Sequence, residues 1–155
     1  MVSQIQKYLE QIIKITKKRH CSKIGDYFCF EEFVLRNGQF FKSQISPKSL
    51  KRGRMKECYR NALMLMLDNP SYFYIEGYAA GIIPAMHAWC VDKKGNVIDP
   101  TWPDGKEYFG VIFKRSYALE QAIKNGRVGL IDNWQAEWPL LRLEPSIWKE
   151  TLNKT

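Results

Sequence analysis

A thiol, an imidazole and a carboxylate occur in the order Cys58, His87, Asp99, within the stretches KECYRNALML, MHAWCVD and KKGNVIDPTW. These residue types are the minimum set for nucleophilic catalysis by cysteine. A base makes the thiolate, and a third group holds the base in one tautomer and steadies its imidazolium. Any chain of 155 residues offers some Cys, His and Asp, so the local settings decide whether these three can meet.

Cys58 precedes YRNALMLML, where Ala62, Leu63, Met64 and Leu67 have the spacing of a buried helix ending near Asn69 and Pro70. Cys58 then sits in the first turn. At such a position the helix dipole lowers a thiol pKa, and unpaired backbone N–H groups can donate to a developing oxyanion. Residues 85–92 read as a strand and 97–99 as its hairpin partner. If Asp92 pairs with Asn96, the loop is Lys93, Lys94, Gly95, with Gly95 at the left-handed position that a three-residue hairpin requires. Trp89 then faces Asp99, and His87 is the diagonal neighbour of Asp99 on the same side of the sheet. A slip of one residue would put His87 and Asp99 on opposite faces.

A cysteine at a helix start, HAW at 87–89 on a strand, and DPTW at 99–102 together resemble the core of the transglutaminase-like superfamily within the papain-like thiol enzymes. That group includes transglutaminases, peptide N-glycanases and bacterial cysteine peptidases. The resemblance covers residues 58–113, about a third of the chain. It implies Cys58 as nucleophile, His87 as base and Asp99 as orienting acid. The 29 positions from Cys58 to His87 are compact for the superfamily and leave little room for elaborated substrate pockets.

The elements that must position these residues follow the same patterns. Residues 2–19 form a helix with Val2, Ile5, Leu9, Ile12, Ile13 and Thr16 on one face, and Lys17, Lys18 and Arg19 complement its C-terminus. FEEFVLRNG reads as a short helix closed by Gly38, with a strand over 26–33 as the alternative. Residues 42–57 are a polar, basic loop that delivers the chain to Cys58 and forms a wall of the site. Residues 71–80 read as a strand with Gly77 as a bulge or close-approach point. Its Tyr74, Glu76 and Tyr78 share a face that either borders the site or belongs to the core. Residues 108–113 read as a further strand, 115–125 as a helix capped by Gly126, and 130–143 as a last strand or a wrapped tail. Gln39 is the candidate side-chain donor to an oxyanion, and Tyr59, Tyr78, Trp89 and Trp102 are candidate binding residues. The expected fold is α+β, one domain over residues 1–155. Its antiparallel sheet pairs strands that are neighbours in sequence, with the Cys58 helix on one face and the N-terminal helix outside.

Composition narrows the setting. No stretch approaches the ~20 apolar residues of a membrane span, and the start MVSQIQKYLEQ lacks the layout of a signal peptide. These features point to a cytoplasmic protein without membrane attachment. The four cysteines, Cys21, Cys29, Cys58 and Cys90, show no metal-ligand spacing, and His20 beside Cys21 has no second ligand cluster. They read as free thiols, with no metal or other cofactor. Residues 1–56 hold 13 Lys and Arg against 4 Asp and Glu, whereas residues 57–155 hold 11 against 12. The basic front third suits an acidic partner or a solvated surface. Nucleic acid is disfavoured, because the basic residues are not interleaved with a recognisable motif.

Taken singly, each triad member has a bland explanation: packing for Cys58, a satisfied core imidazole for His87, a turn cap for Asp99. Taken together they indicate a cysteine hydrolase or acyltransferase acting on an amide, isopeptide or thioester bond of a protein or peptide. The alternative is a non-catalytic binding protein that engages an acidic protein or nucleic acid through its basic third. If that third steers an acidic partner, reversing Lys48, Lys51, Arg52 and Arg54 will slow association in stopped-flow measurements and flatten its salt dependence. The reaction of Cys58 with a small uncharged thiol reagent will be nearly unchanged.

Overall fold

The computed structural model describes residues 2–19, 22–126 and 129–152. His20 and Cys21 lie outside the described residues. Helix α1, Gln4–Arg19, buries Ile5, Leu9 and Ile13, which recur every four residues along one stripe. Val2 stays 59% exposed, and Ile12 and Thr16 are only half-buried at the margin of that stripe. Helix α2, Phe30–Asn37, carries Glu31 and Glu32 in its first turn and Arg36 in its last, the charge order a helix dipole favours. The Glu32 carboxylate accepts the Phe28 N–H at 2.7 Å and an ion pair from Lys17 at 3.1 Å. A strand over 26–33 therefore does not form.

The sheet comprises β1 (Gln39–Phe41), β2 (Phe73–Ala80), β3 (Pro84–Val91), β4 (Val97–Ile98) and β5 (Glu107–Phe113). All named pairs are antiparallel, in the order β1-β5-β2-β3-β4. Pairing of sequence neighbours holds for β2–β3 and β3–β4 but fails for β5, which crosses back to lie between β1 and β2. Six of the seven β5 residues are buried, and a two-residue β4 cannot partner them. Only an interior position satisfies the β5 backbone on both sides. The crossing is tight. Gly77 lies opposite Gly110, a Cβ on Gly77 would collide with the Phe109 carbonyl, and one on Gly110 would sit 2.9 Å from the Trp89 ring. Gly77 is thus a close-approach point within a regular ladder.

Beyond β1, Lys42 bridges in parallel to Asn96. The Lys42 N–H donates to Gly95 O at 3.1 Å, and Val97 N–H donates to Lys42 O at 2.9 Å. The sheet therefore curls until its two edges meet. Phe41 on β1 and Trp89 on β3, three strands apart in sheet order, bring their ring centroids to 6.0 Å inside the curl. Ile75, Val97, Tyr108 and Ile112 fill the same interior. The outer face carries the larger core, in which Ile5 and Leu9 of α1 join Phe33 of α2 and residues of α3, Cys58–Asp68. The N-terminal helix thus shares a face with the cysteine helix and does not lie outside it. In α3 the buried residues are Ala62, Leu63 and Met66, whereas Met64 and Leu67 face outward. No helix among the described residues is long and apolar enough to cross a membrane.

Helix α4, Arg115–Asn125, ends at Gly126 in the left-handed conformation. The chain after it forms short turns at Trp134–Ala136 and Pro139–Arg142 and the single-turn α5, Pro145–Trp148, a wrapped tail and not a strand. Glu76, fully buried on β2, explains why. Its carboxylate accepts the N–H groups of Leu130 at 2.8 and 2.9 Å and of Ile131 at 3.0 Å, and the Tyr74 hydroxyl at 2.7 Å. A side chain takes the backbone donors that a strand partner would have used.

Burial pushes the Glu76 pKa up to about 7, although the Ile131 N–H, the Tyr74 hydroxyl and the Leu130 N–H favour its ionised form. The folded protein then binds a proton that the unfolded chain has released, so stability is highest below the unfolded carboxyl range and declines as pH rises toward about 7. Urea unfolding at pH 5 and pH 8 will show a loss of stability to which Glu76 contributes roughly 2–3 kcal/mol, and Glu76→Gln will remove that share.

Candidate active site

The hairpin fixes the imidazole and the carboxylate. Cys90 pairs with Ile98 and Val91 with Val97, Asp92 N–H donates to Asn96 O at 3.1 Å, and Gly95 has φ of 80°. This is the register read from the sequence. It brings His87 Nε2 to 2.7 Å from Asp99 Oδ2, with both residues only 1% exposed. Asp99 is itself held by three further donors. The N–H groups of Thr101 and Trp102 reach Oδ1 at 2.8 and 2.9 Å, and the Tyr108 hydroxyl reaches Oδ2 at 2.9 Å. The turn after β4 is therefore wound around this carboxylate.

Because β4 stops at Ile98, no strand among the described residues lies beside His87 on that edge of β3. The thiol meets the ring there. Cys58 begins α3 close enough to His87 to act on the proton affinity of the ring. With Nε2 on Asp99, the nitrogen left for the thiol is Nδ1. Burial works to lower the His87 pKa, but the hydrogen bond with Asp99, the nearby Cys58 thiol and the negative charge both can carry raise it to about 9. The balance favours the imidazolium form more than in a free imidazole.

The start of α3 has no side-chain cap. Glu57 points instead at Arg54 and Arg60, at 3.7 and 3.8 Å. The first-turn N–H groups beside the sulfur thus lack the side-chain acceptor that usually satisfies them. Lys56, two residues upstream, has φ of 67°, a conformation costly for a residue with a side chain. It turns the loop into the helix.

Of the candidate binding residues, Trp102 is brought into the site. Its ring stacks on His87 with centroids 4.3 Å apart at 21° and is half-buried. Trp89 lies near-parallel to His87 at 6.1 Å but is wholly buried inside the curl, so it supports the ring and has no surface for a ligand. Tyr59 adjoins Cys58, half-buried, and packs against the larger core. Tyr78 is buried on the other face of the sheet against Tyr8, at 5.7 Å, so it belongs to the core and not to a binding surface. Tyr74 and Glu76 share that face. Gln39 does not meet Cys58. Edge strand β1 pairs it with Gly110, and it lines a groove with Lys93, Lys94 and Leu152 at the hairpin tip.

Three residues that sequence reasoning missed hold the site together. Tyr108 braces Asp99 from β5, and Gly105 leaves room for its hydroxyl, since a Cβ there would collide with it. Asn61, one turn after Cys58, donates to Arg54 O at 2.8 Å and Thr101 Oγ1 at 2.9 Å, while Gly53 N–H donates to Pro100 O at 2.9 Å. Asn61 and Thr101 thereby tie the basic loop, the cysteine helix and the Asp99 turn into one unit. An Asn at i+3 from a candidate nucleophile was a visible signal. The position of Tyr108 was not, because it depends on the crossing of β5.

The chain matches no family model, no curated protein and no solved structure. Among the described cysteines, Cys29 and Cys90 are buried and Cys58 is not. Burial pushes the Cys29 thiol up to about 11 and raises that of Cys90 as well. Iodoacetamide at pH 7 will modify Cys58 in the folded protein and leave Cys29 and Cys90 untouched, as peptide mapping will show. His87→Ala will slow the modification of Cys58 by about tenfold or more.

Proposed function

We propose that the protein is a cysteine-dependent hydrolase or acyltransferase, with the core arrangement of the transglutaminase-like, papain-like thiol enzymes. One observation carries the reading: a buried histidine has one nitrogen on a fully hydrogen-bonded carboxylate and lies within the influence of a thiol at an uncapped helix start. Structural ion pairs rarely combine all three. A buried His–Asp pair kept only for stability has no need of a half-exposed thiol at its open side.

In this reading, proton transfer from Cys58 to His87 gives the thiolate–imidazolium pair, and the sulfur attacks the carbonyl carbon of an amide, isopeptide or thioester. The carbonyl π electrons move to oxygen, where the first-turn N–H groups of α3 donate to the oxyanion. As the tetrahedral intermediate collapses, the bond to the leaving amine or thiol breaks and His87 returns its proton to the leaving group. The acyl group remains on Cys58 as a thioester. Water or an amine, deprotonated by His87, then attacks the thioester and releases Cys58. Asp99 acts throughout by holding the Nε2 proton toward itself, so that Nδ1 faces the sulfur. Trp102 covers the ring and keeps water from competing for that nitrogen.

Incubation with activated acyl donors, followed by intact-mass measurement, will trap a thioester on the wild-type protein and none on Cys58→Ala. Asp99→Asn will leave Cys58 reactive toward iodoacetamide but lower turnover by a factor on the order of 10³, because the imidazole loses the acceptor that fixes its tautomer. Thioester formation on Cys58→Ala, or full turnover by Asp99→Asn, would contradict the proposal.

A further inference from the structure

A cavity of about 390 Å³ lies along the flank of α3, and the triad does not use it. Asn61, Leu65 and Asp68 line it, and with Cys58 they form an i, i+3, i+7, i+10 row on one face of the helix. Pro100, the residue after Asp99, lines it as well, as do Leu50, Lys51 and Arg52 of the basic loop. The cavity therefore lies next to the catalytic row, one helical turn beyond Cys58 and one residue beyond Asp99, and is bounded by the loop that Asn61 and Gly53 fasten to the Asp99 turn. From Cys58 to Leu65 is about 10 Å along a helix rising 1.5 Å per residue, the span of about three residues of extended chain.

The lining has a definite chemistry. Met64, 48% exposed, sits at the cavity beside half-buried Leu65 and Leu50. A flexible thioether next to leucines suits apolar guests of varied shape. Lys51 and Arg52 outnumber Asp68 there, and Arg52 is anchored through Nη1 to Asp99 O at 3.4 Å. The compact spacing from Cys58 to His87 had suggested little room for substrate pockets. The room comes instead from the loop before Cys58.

We propose that this cavity is a substrate subsite for a peptide, receiving a bulky apolar side chain three residues from the amide that Cys58 attacks, with a neighbouring acidic residue meeting Lys51 and Arg52. The inference rests on the thiol-enzyme reading above. The subsite serves the acyl side of the substrate, because only the acyl portion stays bound through both half-reactions, so binding energy there acts on each of them.

Peptidyl acyloxymethyl ketones test it, since they extend from the acyl side and alkylate the thiolate with loss of the carboxylate. Probes carrying Leu or Phe at the third position will label Cys58 about tenfold faster than the Gly probe. An Asp beside the Leu will label faster than Asn at low salt. Met64→Glu will remove most of the preference for Leu, and Lys51→Glu will remove the preference for Asp. Both variants will keep the wild-type rate with iodoacetamide and the wild-type melting temperature, since both side chains face water. A Gly probe as fast as the Leu probe, or an Asn probe as fast as the Asp probe, would overturn the inference while leaving the thiol chemistry intact. If neither iodoacetamide nor any peptide probe labels Cys58, the thiol-enzyme reading fails and the subsite fails with it.

Discussion

The hydrogen bond between His87 and Asp99 is the contact on which the rest of the arrangement depends. It joins two buried groups that would each be costly alone: an imidazole that is easily left neutral and a carboxylate that needs several donors. Hairpin register makes it available, and a shift of one residue would remove it. The turn 99–102 folds around the carboxylate through two backbone N–H groups, and Tyr108 supplies a third donor from a strand distant in sheet order. The charge relations follow from this bond. A histidine so buried would ordinarily stay neutral, yet Asp99 and Cys58 reverse that preference.

A second buried carboxylate solves a different problem on the other face of the sheet. Among the described residues no ion pair reaches Glu76, which takes backbone donors from the chain after α4. It fastens the C-terminal tail over the larger core, so that Trp148 is buried. The two carboxylates therefore divide the work. Asp99 organises the reactive edge of the sheet, and Glu76 closes the opposite layer with no part in the chemistry proposed for Cys58.

The parts that were legible in the sequence are those that depend on near neighbours. The 93–95 loop, the strands on either side of it, α1, α2 and the Gly126 cap all follow from spacing and turn chemistry within a dozen residues. The crossing of β5 was not legible. It rests on a glycine facing a glycine across strands 33 positions apart, Gly77 and Gly110. The three-residue β1 carries too little pattern to be read, and without it Gln39 looked free to approach Cys58. Helix α3 was found but its phase was misjudged. Met64 and Leu67 are as apolar as Met66, and only the packing against β3 decides which of them is covered. Tyr78 was misplaced for a similar reason: it shares the face packed by the cysteine helix, and strand alternation does not say that the site forms around the opposite face, to which His87 points.

The coupling of thiol, imidazole and carboxylate can be read from the ring itself. Following the His87 ring resonances by NMR against pH measures its proton affinity without any substrate. The ring should titrate near pH 9, and Cys58→Ala and Asp99→Asn should each move that titration downward, because burial is then less fully offset. A His87 that titrates at the ordinary histidine value of ~6.5 and is indifferent to the loss of Cys58 would contradict the account. The imidazole would then be a core residue, and the thiol beside it a bystander.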